Sequence, residues 1–404
     1  MHIDYSIDDS SKKYLYLDVP FQQGLQHMYL AFKGKEFGLS LGDQISHFTA
    51  GFFKMIPIIG HIFAGVDTAL HSKNLTVIDL SGIDDPFERG RVFAQKCKSQ
   101  LKEVYSVIIA QKGSDEELRK AAKEFEKQID KEQIQELHGI AEGIGLPYAD
   151  ILFMHTFLDA SPGAYGCTAM VRKVASAQPE QRIAAANHSV HIEEYDPYNE
   201  SVLRKNALFW ARISEQKPEG ALKESGVADT IQSIVFDTNA KKITLCASGK
   251  KAFNKKFQTF HPFGEGSAQP LSQKRIELLR NLDWPWHFLG QNTILLIKKV
   301  NGKKIANVTF PGYIGTLSGM NEDGLALAIC SRGDISNAKG TPNPLLFTQM
   351  LARCKTVEEA KGFLQTHSQG SSMNLVLADK DKAVSLELRG MGDFDEVASI
   401  AEGQ

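Results

Sequence analysis

Residues 230–248, TIQSIVFDTNAKKITLCAS, place two runs rich in β-branched and apolar residues on either side of a short polar break. Runs of that length and composition read as strands, and the DTNAKK break is turn chemistry, so the stretch predicts an antiparallel hairpin. Residues 374–388, NLVLADKDKAVSLEL, repeat the pattern around a DKDK turn. Further strand-like runs begin at Cys167 (CTAMV), Thr293 (TILLIKKV) and Leu325 (LALAICS). Upstream, Pro86 to Ile140 returns apolar residues at three and four and is rich in strong helix formers, which predicts helices. Helical patterns recur near Leu203 to Glu215 and Pro344 to Gln365. Strands interleaved with helices behind a helical N-terminal part predict an α+β protein. The expected boundary is near Gly166, dividing a helical region 1–166 from a layered core 167–404.

The chain has 404 residues, long enough for a large buried core, and its 42% hydrophobic and 23% charged content excludes collagen-like and wholly disordered readings. Lys+Arg 46 against Asp+Glu 48 leaves a formal charge of -2, so no basic surplus points to nucleic acid. Cys97, Cys167, Cys246, Cys330 and Cys354 are odd in number and widely spaced, without C-x-x-C. This fits a reducing compartment better than a disulfide framework or a zinc cluster. The first residues, MHIDYSIDDSSKK, lack the basic start and apolar run of an export signal, so the expected location is cytoplasmic. Phe48 to Gly65 is the most apolar stretch, but Lys54, Pro57 and His61 interrupt it and it is shorter than the roughly 20 residues of a spanning helix. It reads as a buried helix or hairpin, with interfacial membrane contact as the sharper alternative. Asn74, Asn199 and Asn307 each open a glycosylation pattern.

Chemistry-bearing residues fall in three segments. Tyr165-Gly166-Cys167-Thr168 puts a glycine before a cysteine that opens a strand. Residues 279–286 read LRNLDWPW, and Ala186-Asn187-His188-Ser189 ends another β-like run. Each alone is ordinary: a buried cysteine, a surface ion pair, a turn. No phosphate loop, dinucleotide fingerprint or H-E-x-x-H stands anywhere in the chain. His188, His191 and Glu193 lack the further cysteine or carboxylate partner that a metal site would need.

Taken jointly, the segments resemble the cysteine-type N-terminal nucleophile hydrolases, in particular the acyl-coenzyme A:6-aminopenicillanate acyltransferase group, with choloylglycine hydrolases and acid ceramidase as more distant relatives. The likeness runs through Leu80-Ser81-Gly82 to Glu88-Arg89-Gly90, through 136–143 (ELHGIAEG) and 149–152 (ADIL), and through Gly166-Cys167-Thr168. It resumes in RNLDWPW, in 308–329 (VTFPGYIGTLSGMNEDGLALAI) and in 374–388. The resemblance implies a four-layer αββα sandwich behind a helical prosegment, and no cofactor or metal. It implies cleavage of the Gly166–Cys167 bond by the cysteine's own sulfur, leaving a thiol and an α-amine on one residue. An α-amine has a pKa near about 7.7–8.0 and can serve as the base, so no separate histidine is required. Arg280 would then favour the thiolate, Asp283 would hold the α-ammonium, and Asn187 would donate to the oxyanion.

Trp284, Ser331 and Arg332 are the residues this reading places against substrate, Ser331 standing where the family has an asparagine. The expected substrate is a small acyl amide with an apolar acyl group, its acyl passing through a thioester to water or an amine. One feature departs from the family: Asn187 precedes Arg280 and Asp283, so two blocks stand in exchanged order. If that order parts Arg280 from Cys167, the chain would be a non-catalytic lipid- or protein-binding member of the same fold. An unprocessed cysteine hydrolase using His188 as base is a third reading.

Overall fold

A computed structural model of the chain describes residues 75–160, 167–174, 182–186, 222, 230–249, 251–264, 275–284, 287–336, 339–390 and 392–400. Two compact units divide the chain, 1–73 with 105–107, and 74–104 with 108–404; the second holds every sheet described here.

The first strand, β1 (Thr76–Asp79), is followed by five helices: α1 (Pro86–Lys96), α2 (Lys98–Lys112), α3 (Glu116–Glu126), α4 (Lys131–Ile144) and α5 (Tyr148–Ala160). Their starts are written locally. Asp85, Asp115 and Asp130 each accept a hydrogen bond from an amide of the first turn, and Pro86 follows the first of these caps. Gly145 closes α4 in the left-handed conformation, at φ 76°. Helices α1 and α4 touch through their backbones: a Cβ on Gly90 would lie 2.0 Å from the Glu136 carbonyl oxygen, and one on Gly139 would lie 1.9 Å from that of Phe87.

The first of two sheets has the order β1-β8-β9-β10-β11-β12-β13-β14, with β8 (Ile294–Val300), β9 (Lys303–Thr309), β10 (Ser318–Asn321), β11 (Ala326–Ser336), β12 (Ser371–Ala378), β13 (Ala383–Gly390) and β14 (Asp393–Ile400). Only β1 runs parallel to its neighbour. Asn301 and Gly302, both at positive φ, join β8 to β9 as the two-residue turn that Asn-Gly favours. The second sheet has the order β3-β2-β7-β4-β5-β6, with β2 (Cys167–Val174), β3 (Arg182–Ala186), β4 (Thr230–Asp237), β5 (Lys242–Ala247), β6 (Gln258–Phe260) and β7 (Arg275–Asp283). Both hairpins expected from the sequence are present: Asp237 pairs with Lys242, and Ala378 with Ala383.

Strands β11, β12 and β13 lie against β2, β3 and β7. Helix α7 (Asn343–Arg353) covers β8 to β10, α8 (Val357–Thr366) contacts β14, and the short α6 (His287–Gln291) contacts β4. Every residue of β4 and of β12 is buried, so these strands are covered on both faces, and their polar members, such as Ser233, find hydrogen-bond partners inside. This is an α+β architecture with one mixed and one antiparallel sheet.

The stretch ahead of Cys167 is tied to the sheets by charge as well as by β1. Lys298 of β8, fully buried, donates to both oxygens of Glu136 at 3.0 and 3.1 Å, and Arg89 reaches the same carboxylate at 3.2 Å. Three buried charges satisfy one another, so the sequence likeness at Glu88–Gly90 and Glu136–Gly143 falls on packing rather than on chemistry. Asn307 is likewise internal, its side-chain oxygen accepting from Thr316 at 3.0 Å, so its glycosylation pattern is out of reach in the folded chain. Among the described residues, no helix is long and apolar enough to cross a membrane. Residues 48–65, Asn74, Asn199 and 203–215 lie outside the described residues.

Candidate active site

Cys167 opens β2, an interior strand of the six-stranded sheet flanked by β3 and β7, and β7 runs antiparallel beside it. Cys167 faces Leu282 and Ala169 faces Arg280, so the two-residue period puts Leu282 and Arg280 on one side of β7 and brings Arg280 diagonally to the cysteine. One Arg280 nitrogen, Nη2, stands 3.5 Å from the Cys167 sulfur, although 113 residues separate them in the chain.

The guanidinium also reaches across to the other sheet. Its Nη2 donates to the Ile329 carbonyl at 3.0 Å, and Nη1 donates to the Leu317 carbonyl at 3.1 Å and to the Ser318 hydroxyl. Arg280 is 1% exposed, and among the described residues no carboxylate lies within ion-pair distance of it. A buried cation demands an anion or neutralisation, and arginine does not lose its proton. The group beside it that can become anionic is the Cys167 thiol.

The thiol's surroundings favour that outcome. A hydrogen bond from the Cys330 thiol, then the charge and hydrogen bond of Arg280 and a backbone contact at Asp283, overcome burial and bring Cys167 down to about 6. Cys330 moves the opposite way, well above the ordinary thiol range, because it keeps the proton it donates and is buried. Burial pushes Cys97 up to about 12 and Cys354 up to about 11, so neither has the character of a nucleophile at neutral pH.

Asp283 ends β7. A shift of register in β4 between Thr230 and Gln232 lets Thr230 pair with Asp283, and the Thr230 hydroxyl donates to Asp283 Oδ1 at 2.5 Å. The irregularity stands next to the strand start that carries the cysteine, where such departures commonly re-aim a side chain. Trp284 follows, 4% exposed and edge-on to Phe310 at 6.1 Å.

A small pocket reaches the sulfur, lined by Cys167, Arg280, Leu282, Trp284, Ile329 and Met373 among others. A second, smaller pocket lined by Val104, Met154, Phe157, Leu289 and Phe310 shares Leu158, Trp284 and Leu317 with the first. Ser371 lies on the cleft wall and donates to Asp159 Oδ1 at 2.7 Å, which also accepts from the Asn343 amide at 3.1 Å. Asp159 Oδ2 is buried without a hydrogen-bond partner, and burial raises this carboxyl to about 7.

That shift carries a prediction. Folded Asp159 holds its proton more tightly than the unfolded chain does, so between about pH 4 and 7 the folded state binds more protons and loses stability as pH rises. Asp159→Asn keeps an acceptor for Asn343 and Ser371 but cannot ionise. Thermal unfolding at pH 5 and pH 8 should show wild type losing about 3 kcal/mol of stability relative to this variant, the equivalent of the two pH units between pH 5 and the folded value of about 7. Parallel curves for the two proteins would refute it.

Of the residues singled out in the sequence, the structure brings Cys167 and Arg280 together and sets Asp283 and Trp284 beside them. Gly166, Asn187, His188, His191 and Glu193 lie outside the described residues. Ser331 and Arg332 are placed on β11, Ser331 pairing with Met373, and nothing is described of their side chains. Sequence reasoning missed Cys330, Thr230 and Ser318. The LALAICS run places Cys330 on a strand beside Ser331, but only the packing of β11 on β2 shows which cysteine it meets. Among the described residues no group of three or more His, Cys, Asp or Glu could hold a metal ion.

With Arg280, Asp283, Trp284 and Cys330 all drawn from one continuous stretch of strands, the family comparison falls on the same ground. Residues 272–394 match the family model of acyl-coenzyme A:6-aminopenicillanic acid acyl-transferase. A search of curated proteins gave no match. The acyltransferase-like stretch thus supplies β7 to β13 and Arg280, while Cys167 comes from a strand outside it.

Proposed function

We propose that the protein is a cysteine amidohydrolase or acyltransferase, activated by cleavage of its own chain before Cys167, that acts on a linear acyl amide through a thioester. The observation that carries the reading is the 3.5 Å approach of a buried arginine, lacking a carboxylate partner among the described residues, to the sulfur of Cys167. The match of residues 272–394 to an acyltransferase family supports the acyl half of the proposal. In this reading the two facing sheets and their helices are the αββα sandwich of N-terminal nucleophile hydrolases. An exchanged block order would leave the site intact in this reading, because β7 pairs between β2 and β4.

Activation would proceed by attack of the Cys167 sulfur on the Gly166 carbonyl carbon. The peptide nitrogen leaves as the new α-amine, and water then hydrolyses the Gly166 thioester. Because β1 pairs with β8, Glu136 of α4 is ion-paired to Lys298 of β8 and α5 packs against α7, the cut chain would stay together as two polypeptides. In turnover, the thiolate attacks the amide carbonyl while the α-amine of Cys167, held by Asp283, gives a proton to the leaving nitrogen. The acyl group rests on sulfur as a thioester until water or a small amine takes it. Asn187 would donate to the oxyanion, and the apolar cavity behind Trp284 would take the acyl chain.

The test is to expose the protein to a series of acyl p-nitroanilides, from acetyl to dodecanoyl, and to quench in acid. Release of p-nitroaniline together with an acyl mass on the Cys167 peptide is expected, favouring medium over acetyl chains. Release without any adduct on Cys167 in rapid-quench samples, or an adduct on another residue, would overturn the mechanism.

A further inference from the structure

Cys330 forms no bond to substrate in the chemistry above, and its thiol hydrogen-bonds to the Cys167 sulfur inside the core. The contact joins the two sheets: β11 packs on β2, and the Arg280 Nη2 that reaches Cys167 also holds the carbonyl of Ile329, the residue before Cys330. The other described cysteines offer no such pair. Cys97 and Cys246 donate to the backbone carbonyls of Phe93 and Ala252, each at 3.1 Å, and burial holds Cys354 in its thiol form.

We propose that Cys167 and Cys330 form a reversible oxidation site that closes to a disulfide when a small hydroperoxide enters the cleft, and reopens on reduction. The cleft that admits substrate to the sulfur admits a molecule as small as peroxide. An anionic sulfur beside a guanidinium is the form that reacts with peroxide, and a resolving thiol in contact with it is what turns a sulfenic acid into a disulfide rather than a sulfinic acid. The Cys167 thiolate attacks one peroxide oxygen, so the S–O bond forms, the O–O bond breaks, and the other oxygen leaves as water or an alcohol after taking a proton. The Cys330 sulfur then attacks the sulfenic sulfur, releasing hydroxide, which takes the Cys330 proton and leaves as water. In sum two thiols lose two electrons and two protons, and one hydroperoxide becomes water and an alcohol, or two waters. A thiol reductant reverses the step by exchange. The nucleophile is silent while the bond stands.

The experiment treats the full chain with hydrogen peroxide, blocks free thiols with iodoacetamide, and maps peptides without reduction. The expected result is a Cys167–Cys330 crosslink with both thiols lost together, and full recovery of both on dithiothreitol treatment. In Cys330→Ser, Cys167 alone should be oxidised, trapping dimedone several-fold more than wild type. Wild-type protein that loses the Cys167 thiol to dimedone or to sulfinic acid while Cys330 remains alkylatable would overturn the proposal, whatever the variant does. The readout counts thiols and needs neither self-cleavage nor turnover, so it fails or succeeds independently of the hydrolase reading.

Discussion

Cys167→Ala is expected to fold, to remain a single 404-residue polypeptide and to release no p-nitroaniline above background, with an unfolding transition below that of wild type. The sulfur is asked to do two jobs, breaking the bond before it and carrying the acyl group, and alanine can do neither. The void left by one sulfur is small, but the substitution takes from the buried Arg280 the group that answers its charge, so some stability is lost as well. Mass spectrometry and a chromogenic assay on one preparation read both effects. A variant that still appears as two fragments, or that keeps a tenth of wild-type turnover, would contradict the assignment of both jobs to Cys167.

Arg280→Lys should be the second most damaging change. Arginine spreads donors over the Cys167 sulfur, two carbonyls and the Ser318 hydroxyl, and a lysine ammonium on a shorter reach cannot span them. Each buried acceptor left without a donor costs about 1–3 kcal/mol, so stability falls. The chemical consequence is separable: with the cation displaced, the Cys167 thiol titrates above its present value of about 6. Iodoacetamide labelling followed against pH should show a midpoint shifted upward, and kcat/KM at neutral pH should fall by about 10²–10³, the range typical for losing one positioned donor. An unchanged labelling profile in a folded variant would show that Arg280 does not set the thiol's charge.

What the sequence disclosed follows the range over which its signals act. Helices α1, α3 and α4 announce themselves through an aspartate cap and apolar spacing, and the hairpins at 230–248 and 374–388 through turn residues, because capping and turning are settled within a few positions. Strand β1 is four residues long, too short for periodicity to declare, and is held by pairing with β8 more than two hundred residues later. The pairing of β2 with β7 has no local signature, and Arg280 was legible as a partner of Cys167 only because RNLDWPW resembled a known pattern. Cys330 and Thr230 carry no pattern. They enter the site because two sheets stack and because one strand shifts register, events decided by the whole core.

The most direct measurement is N-terminal sequencing combined with intact mass on freshly purified protein. Two polypeptides that co-purify, the second beginning Cys-Thr-Ala-Met-Val, are the predicted result. A single chain that retains the Gly166–Cys167 bond and nevertheless turns over acyl amides would contradict the account, since the amine assigned as its base would not exist.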